Sequence, residues 1–193
     1  MTAGVIILDL CGGTGSWSKP YLEAGYDVRL VTLPVQDVRS YEPPANVHGI
    51  LAAPPCTMFS LARTRAATPR DFRVGMEIVI ACLKIIWECR YNNSLGFWCI
   101  ENPMGYLRQF LGAPAFTFDP WEFGDRYTKK TDLWGYFNIP TKHPVDLNQQ
   151  ELALCATNSR KLPSISDITG SRQADRRAIT PPGFARAFFE ANP

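Results

Sequence analysis

A cysteine and a carboxyl group each follow an apolar segment of this sequence and could do chemistry together. Cys56 stands after Pro54 and Pro55 in LAAPPCTMFSLART, and Glu101 and Asn102 stand in WCIENP. A thiolate is a nucleophile and a carboxyl group can hold or protonate a ring nitrogen, so the pair suits addition to a nucleobase ring. Because prolines cannot donate backbone hydrogen bonds, they should end the sheet pairing and leave Cys56 in an exposed loop.

Each of these residues also has a purely structural interpretation. A single cysteine is most often a small core residue, and a nucleophilic Cys56 needs nearby positive charge, which Arg63 and Arg65 could supply. Glu101 could pair with a surface arginine, and Asn102 could cap the helix that follows it. Their position at the end of a predicted strand favours a functional role.

A cluster of glycines follows the first apolar segment, in the stretch DLCGGTG. Gly12, Gly13 and Gly15 precede a helix, where backbone amides can approach a ligand without interference from a Cβ atom. The spacing is not G-x-G-x-x-G and no G-K-[ST] follows, which disfavours a dinucleotide or a triphosphate. S-adenosylmethionine, with a cationic amino-acid part and a nucleoside part, fits better. The alternative is a tight turn that binds nothing.

Asp37, in VQDVRSY after the second strand, is a further candidate ligand. Its carboxylate only accepts hydrogen bonds, so it could bind the exocyclic amine of an adenine. It could equally cap a helix or a turn.

Apolar runs and amphipathic stretches alternate along the first half of the chain. They predict strands at 5–10, 28–33, near 47–53 and near 96–103, with helices at 16–24 and about 71–90. Beyond them we predict a short helix, an irregular or edge strand, a strand of mixed face near 130–137, a loop-rich insert at about 138–178 and a closing helix. This order predicts an α/β fold with a mostly parallel sheet and helices on both faces.

The bulk composition narrows the class of protein. A chain of 193 residues with 46% hydrophobic residues suits one domain, and the net charge of +2 does not by itself indicate a nucleic-acid partner. Six cysteines without a CxxC pair and only two histidines disfavour both a disulfide framework and a metal site. We expect Cys82, Cys89 and Cys99 to be core residues. No apolar run approaches the roughly 20 residues that span a bilayer, so we expect a soluble, cytoplasmic protein that does not bind membranes.

The motifs, in their order, resemble those of the DNA cytosine-C5 methyltransferases, in particular the short phage and mobile-element forms. DLCGGTG is similar to the family's cofactor loop, PPC with the following FS to its nucleophile motif, and ENP to its glutamate motif. YTKKTDLWG stands where the family has a basic Q-x-R-x-R strand, and ITPPGFARAFFEAN resembles its closing helix. The resemblance covers nearly all of the chain from Leu8 to Asn192.

The resemblance implies a Rossmann-like class I fold, S-adenosylmethionine as cofactor and DNA, double- or single-stranded, as partner. Cys56 would attack C6 of an extruded cytosine and Glu101 would engage N3 and the exocyclic amine, so that C5 takes the methyl group. The catalytic residues implied are Cys56, Glu101, Asn102 and Pro55. The cofactor-binding residues implied are Asp9, Leu10, Cys11, Gly12, Gly13, Thr14, Gly15, Thr32, Leu33, Asp37 and Pro54. The substrate-binding residues implied are Ser60, Arg63, Arg65, Lys129 and Lys130, the lysines at the nucleic-acid backbone.

Four departures separate the chain from the family pattern. Thr57 replaces the glutamine that usually follows PPC, the acidic ribose ligand after the second strand is absent, and lysines replace the arginine pair. The segment 138–178 is too short for a target-recognition domain, so a protein partner could supply sequence specificity. The same chemistry on RNA or a free cytidine nucleotide, and a catalytically silent binding relative, are the alternatives; an NAD-linked oxidoreductase would rest on the glycine loop alone.

Overall fold

A computed structural model of the chain has an α/β fold built around one mixed sheet. The described residues are 4–61, 63, 66, 68–91, 95–146, 162, 164 and 179–193. The predicted loop-rich insert at 138–178 therefore lies mostly outside the described residues.

The sheet has six strands within the described residues, in the order β2-β1-β3-β4-β6-β5. The strands are β1 (Ile6–Leu10), β2 (Asp27–Val31), β3 (Val47–Ala52), β4 (Phe97–Pro103), β5 (Phe116–Phe118) and β6 (Thr131–Tyr136). The first four strands run parallel to one another, whereas β6 runs antiparallel to both β4 and β5. The predicted, mostly parallel sheet is confirmed, and this arrangement is compatible with a Rossmann-like fold.

Four α-helices accompany the strands in the described part of the chain. They are α1 (Lys19–Glu23), α2 (Phe72–Tyr91), α3 (Arg108–Leu111) and α4 (Pro182–Ala191). The predicted helix at 16–24 is too long, because Gly13 and Gly15 have left-handed φ angles of 57° and 71° and the chain becomes helical only at Lys19. The long helix and the closing helix are confirmed to within a few residues.

The side chains of the parallel strands alternate between two apolar layers. Leu8 and Leu10 point into a cluster that includes the buried face of α2, while Ile7 points into a second cluster formed with α1 and α4. This period of two is the geometric consequence of extended backbone. It confirms that helices cover both faces of the sheet, so a ligand crevice is expected at the ends of the strands rather than on a face.

The order in which strands are added to the sheet changes side at β1, because β2 lies on one side of β1 and β3 on the other. Ligands of open α/β sheets bind where the carboxyl ends of the strands diverge at such a point. The amide of Ala53 donates to the carbonyl of Leu10 at 2.9 Å, and the amide of Cys11 donates to the carbonyl of Val31 at 2.8 Å. These bonds hold the loops after β1, β2 and β3 side by side at one edge.

Candidate functional site

The loop after β1 is shaped by the buried carboxyl group of Asp9. The Ser18 hydroxyl donates to Asp9 Oδ2 at 2.5 Å. A Cβ atom at Gly12 would overlap the carboxyl group of Asp9, so only glycine fits there. Gly13 and Thr14 are exposed, and the backbone of the loop is therefore open to a ligand.

Asp9 has one carboxyl oxygen without a partner. Its side chain is fully buried, and Oδ1 accepts no hydrogen bond within the described residues. Burial raises the pKa of Asp9 to about 6, while the bond from Ser18 opposes the shift. An unsatisfied buried acceptor beneath an open glycine loop is a position where a ligand's donor would be stabilised.

Two further members of the predicted cofactor set lie between Asp9 and the glycines. Leu10 is fully buried in the core, and Cys11 is half-buried with a left-handed φ of 58°. Gly15 closes the turn, since its amide donates to the carbonyl of Gly12 at 2.9 Å. Leu10 therefore contributes packing, whereas the backbone from Cys11 to Gly15 forms the open part of the loop.

The loop after β2 lies beside the glycine loop and carries the predicted ribose and adenine positions. Thr32 is half-buried and Leu33 is 66% exposed. Asp37 accepts hydrogen bonds from the backbone amide and the guanidinium of Arg39, which lower its pKa to about 2. Asp37 thus caps the short 3₁₀ helix Val38–Ser40, which is the structural role that the sequence left open for it. Its binding to the exocyclic amine of an adenine stays a prediction.

The Pro-Pro-Cys segment leaves the sheet directly after β3. Pro54 is buried, Pro55 is exposed, and Cys56 begins a 3₁₀ helix that ends at Met58. Phe59, fully buried, anchors this turn in the core. The cysteine is partly exposed, in keeping with the loop position predicted for it.

Asn102 connects the end of β4 to the Pro-Pro-Cys segment. Its side-chain amide donates to the carbonyl of Pro54 at 2.8 Å, and its buried Oδ1 atom has no hydrogen-bond partner among the residues that the structure describes. Asn102 does not cap a helix, because α3 begins only at Arg108 and its N-cap is Leu107. The strand register therefore brings the ENP and PPC motifs together, as their positions at strand ends predicted.

Glu101 forms a buried ion pair with Lys129. The distance from Lys129 Nζ to Glu101 Oε1 is 3.5 Å, and the two side chains are only 5% and 7% exposed. At this distance the two charges attract each other, but no group in the described part of the chain donates a hydrogen bond to Oε1. The carboxylate is held in place while one of its oxygens stays available to a donor from a ligand.

The two predicted backbone-binding lysines have different environments. Lys129 is turned inward and its amide donates to Asp119 at 2.9 Å, so its ammonium group does not lie on the surface where a phosphate would bind. Lys130 is exposed at the start of β6. Lys129 lies before the first residue of β6 and its side chain is buried beside Glu101, whereas Lys130 is exposed. The predicted contact of both lysines with the nucleic-acid backbone stays a prediction.

The segment after Cys56 is held by an arginine that the sequence did not single out. Arg70 donates to the carbonyls of Met58, at 3.0 Å, and Arg63, at 3.2 Å, and its guanidinium lies 4.9 Å from the ring centre of Tyr106. Arg63 itself donates to Thr68 at 2.8 Å. No spacing rule predicts such a contact, because it depends on how the loop folds back on itself.

The remaining predicted substrate residues give less information. Ser60 is half-buried and forms an isolated bridge with Gly105, and Arg65 lies outside the described residues. The cysteines predicted to be core residues are buried, which confirms that interpretation for Cys82, Cys89 and Cys99.

The start of α4 also contributes to this edge of the sheet. The amide of Thr180 donates to the Ser16 hydroxyl at 3.0 Å, and the amide of Gly183 donates to Asp125 at 3.0 Å. The closing helix is therefore attached to the glycine loop although the two are far apart in sequence.

No protein-family model and no curated protein matches the chain. In the described part of the chain, no helix has the length and apolar character needed to cross a bilayer. The same residues contain no group of three or more histidine, cysteine, aspartate or glutamate side chains that could hold a metal ion.

Proposed function

We propose that the protein transfers a methyl group from S-adenosylmethionine to C5 of cytosine in DNA through a covalent adduct with Cys56. The observation that carries the proposal is a pair of buried acceptors, Glu101 Oε1 and Asn102 Oδ1, to which no described residue donates a hydrogen bond. They lie next to the segment that carries a partly exposed thiol. The exocyclic amine of cytosine has two hydrogens to donate to such acceptors. The order of the motifs supports the same reaction.

The proposed reaction uses Cys56 as nucleophile and Glu101 as the group that stabilises the activated ring. The thiolate adds to C6, and the electron pair displaced from the C5–C6 double bond makes C5 nucleophilic. Glu101 accepts hydrogen bonds from the exocyclic amine and from N3 once N3 has taken up a proton, while Lys129, 3.5 Å from Glu101 Oε1, holds the carboxylate in place. Once C5 has taken the methyl group, with S-adenosylhomocysteine as the leaving group, the C5 proton would leave to solvent and the bond between Cys56 Sγ and C6 would break, which restores the aromatic ring.

The glycine loop fits the cofactor in this proposal. S-adenosylmethionine would supply an electrophilic methyl group, and its ammonium group could donate to the buried Oδ1 atom of Asp9. The open backbone at Gly13 leaves room for the ligand, since nothing lies within 4 Å of a Cβ position there. Leu33, which is exposed in the adjacent loop, would cover part of the nucleoside. On this basis we propose that the α/β fold is the Rossmann-like fold of class I methyltransferases.

DNA is the proposed substrate, and the target base has to leave the duplex. A stacked cytosine cannot present C6 to a thiol, so the base is extruded or is taken from a single strand. Lys130 is exposed next to the site and would contact phosphate, which predicts affinity that falls with salt. A protein partner that selects the sequence remains part of the proposal, because YTKKTDLWG and the closing helix are separated by a short segment.

A mechanism-based trap tests the proposal directly. Incubation with duplex DNA that contains 5-fluorocytosine, in the presence of S-adenosylmethionine, should leave a covalent protein–DNA complex, because fluorine at C5 blocks the elimination step. Cys56→Ala should abolish the complex, while Cys89→Ala, which removes a buried thiol on α2, should retain it.

Methyl transfer from labelled cofactor to duplex DNA, single-stranded DNA, RNA and deoxycytidine monophosphate then identifies the substrate. Label in RNA or the nucleotide alone would overturn DNA as the substrate but would leave the proposed methylation of cytosine C5 in place. Cofactor binding without label in any of the four and without a covalent complex would establish the silent binding alternative.

A further inference from the structure

The outer face of α2 carries an apolar stripe that the proposed methyl transfer does not use. Ile80, Trp87 and Tyr91 are 45%, 71% and 79% exposed, and the partly buried Leu83 lies between them. Spacings of three and four residues place these side chains on one side of the helix. Ile80, Leu83 and Trp87 line a shallow surface groove together with Lys84 and Glu88. Large aromatic side chains exposed in such a cluster are typical of an interface.

The stripe is presented on a rigid support. The opposite face of α2 is buried in the core through residues such as Val79, Cys82 and Ile86, so the helix cannot rotate to hide the stripe. Trp87 alone would place a large, stiff apolar surface in an interface, since a tryptophan buries about 150–250 Å². Within the described residues the stripe is therefore left exposed to solvent.

The charges on the stripe select the partner. Lys84 and Glu88 flank Trp87, are both exposed, and form no ion pair within the described residues. The two are four residues apart, about 6 Å along the helix axis. If a second α2 packs antiparallel, with a two-fold axis near residue 86, Lys84 of each copy faces Glu88 of the other. In a parallel arrangement like charges would face each other.

We propose that this stripe is the interface of a symmetric homodimer, in which α2 of one copy packs antiparallel against α2 of a second copy. The two-fold axis passes one residue from Trp87, so the two indole rings meet at the centre, where the strongest contacts of an interface usually lie. Tyr91 of each copy then reaches the turn that carries Ile80 of the other. A two-fold interface needs one patch that complements itself, and the paired charges give the stripe that property.

A charge-exchange experiment on the full-length chain tests this arrangement. Sedimentation equilibrium from about 1 to about 100 µM, the range in which a modest homodimer dissociates, should give a species of twice the 21.6 kDa chain mass. Lys84→Glu and Glu88→Lys should each weaken dimerisation about tenfold by opposing like charges. The double variant Lys84→Glu/Glu88→Lys should restore it, because the pairing is only exchanged.

Two further variants separate the dimer from other effects. Trp87→Ser should give a folded monomer whose thermal unfolding profile matches that of the wild type diluted until it dissociates, since the ring is mostly exposed within one chain. Arg73→Glu, on the same helix but three turns before the proposed axis, should leave the dimer intact. A monomer at every concentration would overturn the proposal. A dimer that survives Trp87→Ser, or single charge reversals that the double variant does not rescue, would overturn the antiparallel arrangement.

Discussion

The buried ion pair between Lys129 and Glu101 makes a prediction about stability that does not depend on the proposed reaction. Lys129→Met keeps much of the side-chain volume but leaves the Glu101 carboxylate buried without its partner. Breaking a buried pair in this way costs about 3–5 kcal/mol. The 3.5 Å separation and the absence of a hydrogen bond at Oε1 place the loss near the lower end, at about 3 kcal/mol.

Urea unfolding monitored by circular dichroism measures this loss. With a slope of about 2 kcal/mol per molar urea, the midpoint should fall by about 1.5 M. The melting temperature should fall by about 6–12 °C, since 1 kcal/mol corresponds to about 2–4 °C for a chain of this size. Lys130→Met is the matched control, because the neighbouring lysine is exposed and its loss should change stability by less than about 0.5 kcal/mol.

A double-mutant cycle isolates the interaction itself. Lys129→Met/Glu101→Gln removes both charges and should recover part of the stability, giving a coupling free energy of at least about 1 kcal/mol. The reasoning would be refuted if Lys129→Met cost no more than Lys130→Met, or if the effects of the two substitutions simply added. In either case the two side chains would not form an ion pair inside the protein.

Two other substitutions test the edges of the site. Burial raises the pKa of Asp9 to about 6, so the folded protein keeps a proton that the unfolded chain loses near pH 4. The stabilising free energy from this proton is present below pH 4 and is lost as the pH rises through 6. The loss amounts to about 3 kcal/mol. The free energy of unfolding of Asp9→Asn, measured with urea, should therefore rise by about that amount relative to the wild type between pH 4 and 7. A difference between the two proteins that stays constant with pH would contradict the burial of an ionisable group there. Asn102→Ala should cost about 1–3 kcal/mol, because the buried carbonyl of Pro54 loses its donor. A change below about 0.5 kcal/mol in the same assay would show that this bond does not link the two segments.

The positions of the strand ends follow from local sequence. Prolines lack an amide donor, and glycines adopt left-handed angles that interrupt regular structure, so DLCGGTG and APPC mark where β1 and β3 stop. In parallel strands the carboxyl ends share one edge, which is why the approach of the PPC and ENP motifs could be anticipated. The hydrogen bond from Asn102 to Pro54 agrees with that inference.

Pairings between side chains could not be predicted in the same way. Lys129 and Lys130 are neighbours in the segment just before β6, but the fold buries the side chain of Lys129 beside Glu101 and leaves Lys130 exposed. Arg70 donates to the carbonyl of Met58, a residue twelve positions earlier in the chain. Such contacts depend on several elements at once, and no local pattern contains that information.

The sequence by itself therefore determined the α/β class, the two apolar layers and the edge at which Cys56 and Glu101 lie, because periodicity and chain-breaking residues act locally. The tertiary structure decided which groups at that edge are satisfied and which are not. Asp37 caps a turn and Glu101 is ion-paired with Lys129, but within the described residues Asp9, Glu101 and Asn102 each keep one buried oxygen without a hydrogen-bond donor. Satisfaction of a buried polar group depends on distances between segments remote in the chain, and only the packed fold sets those distances.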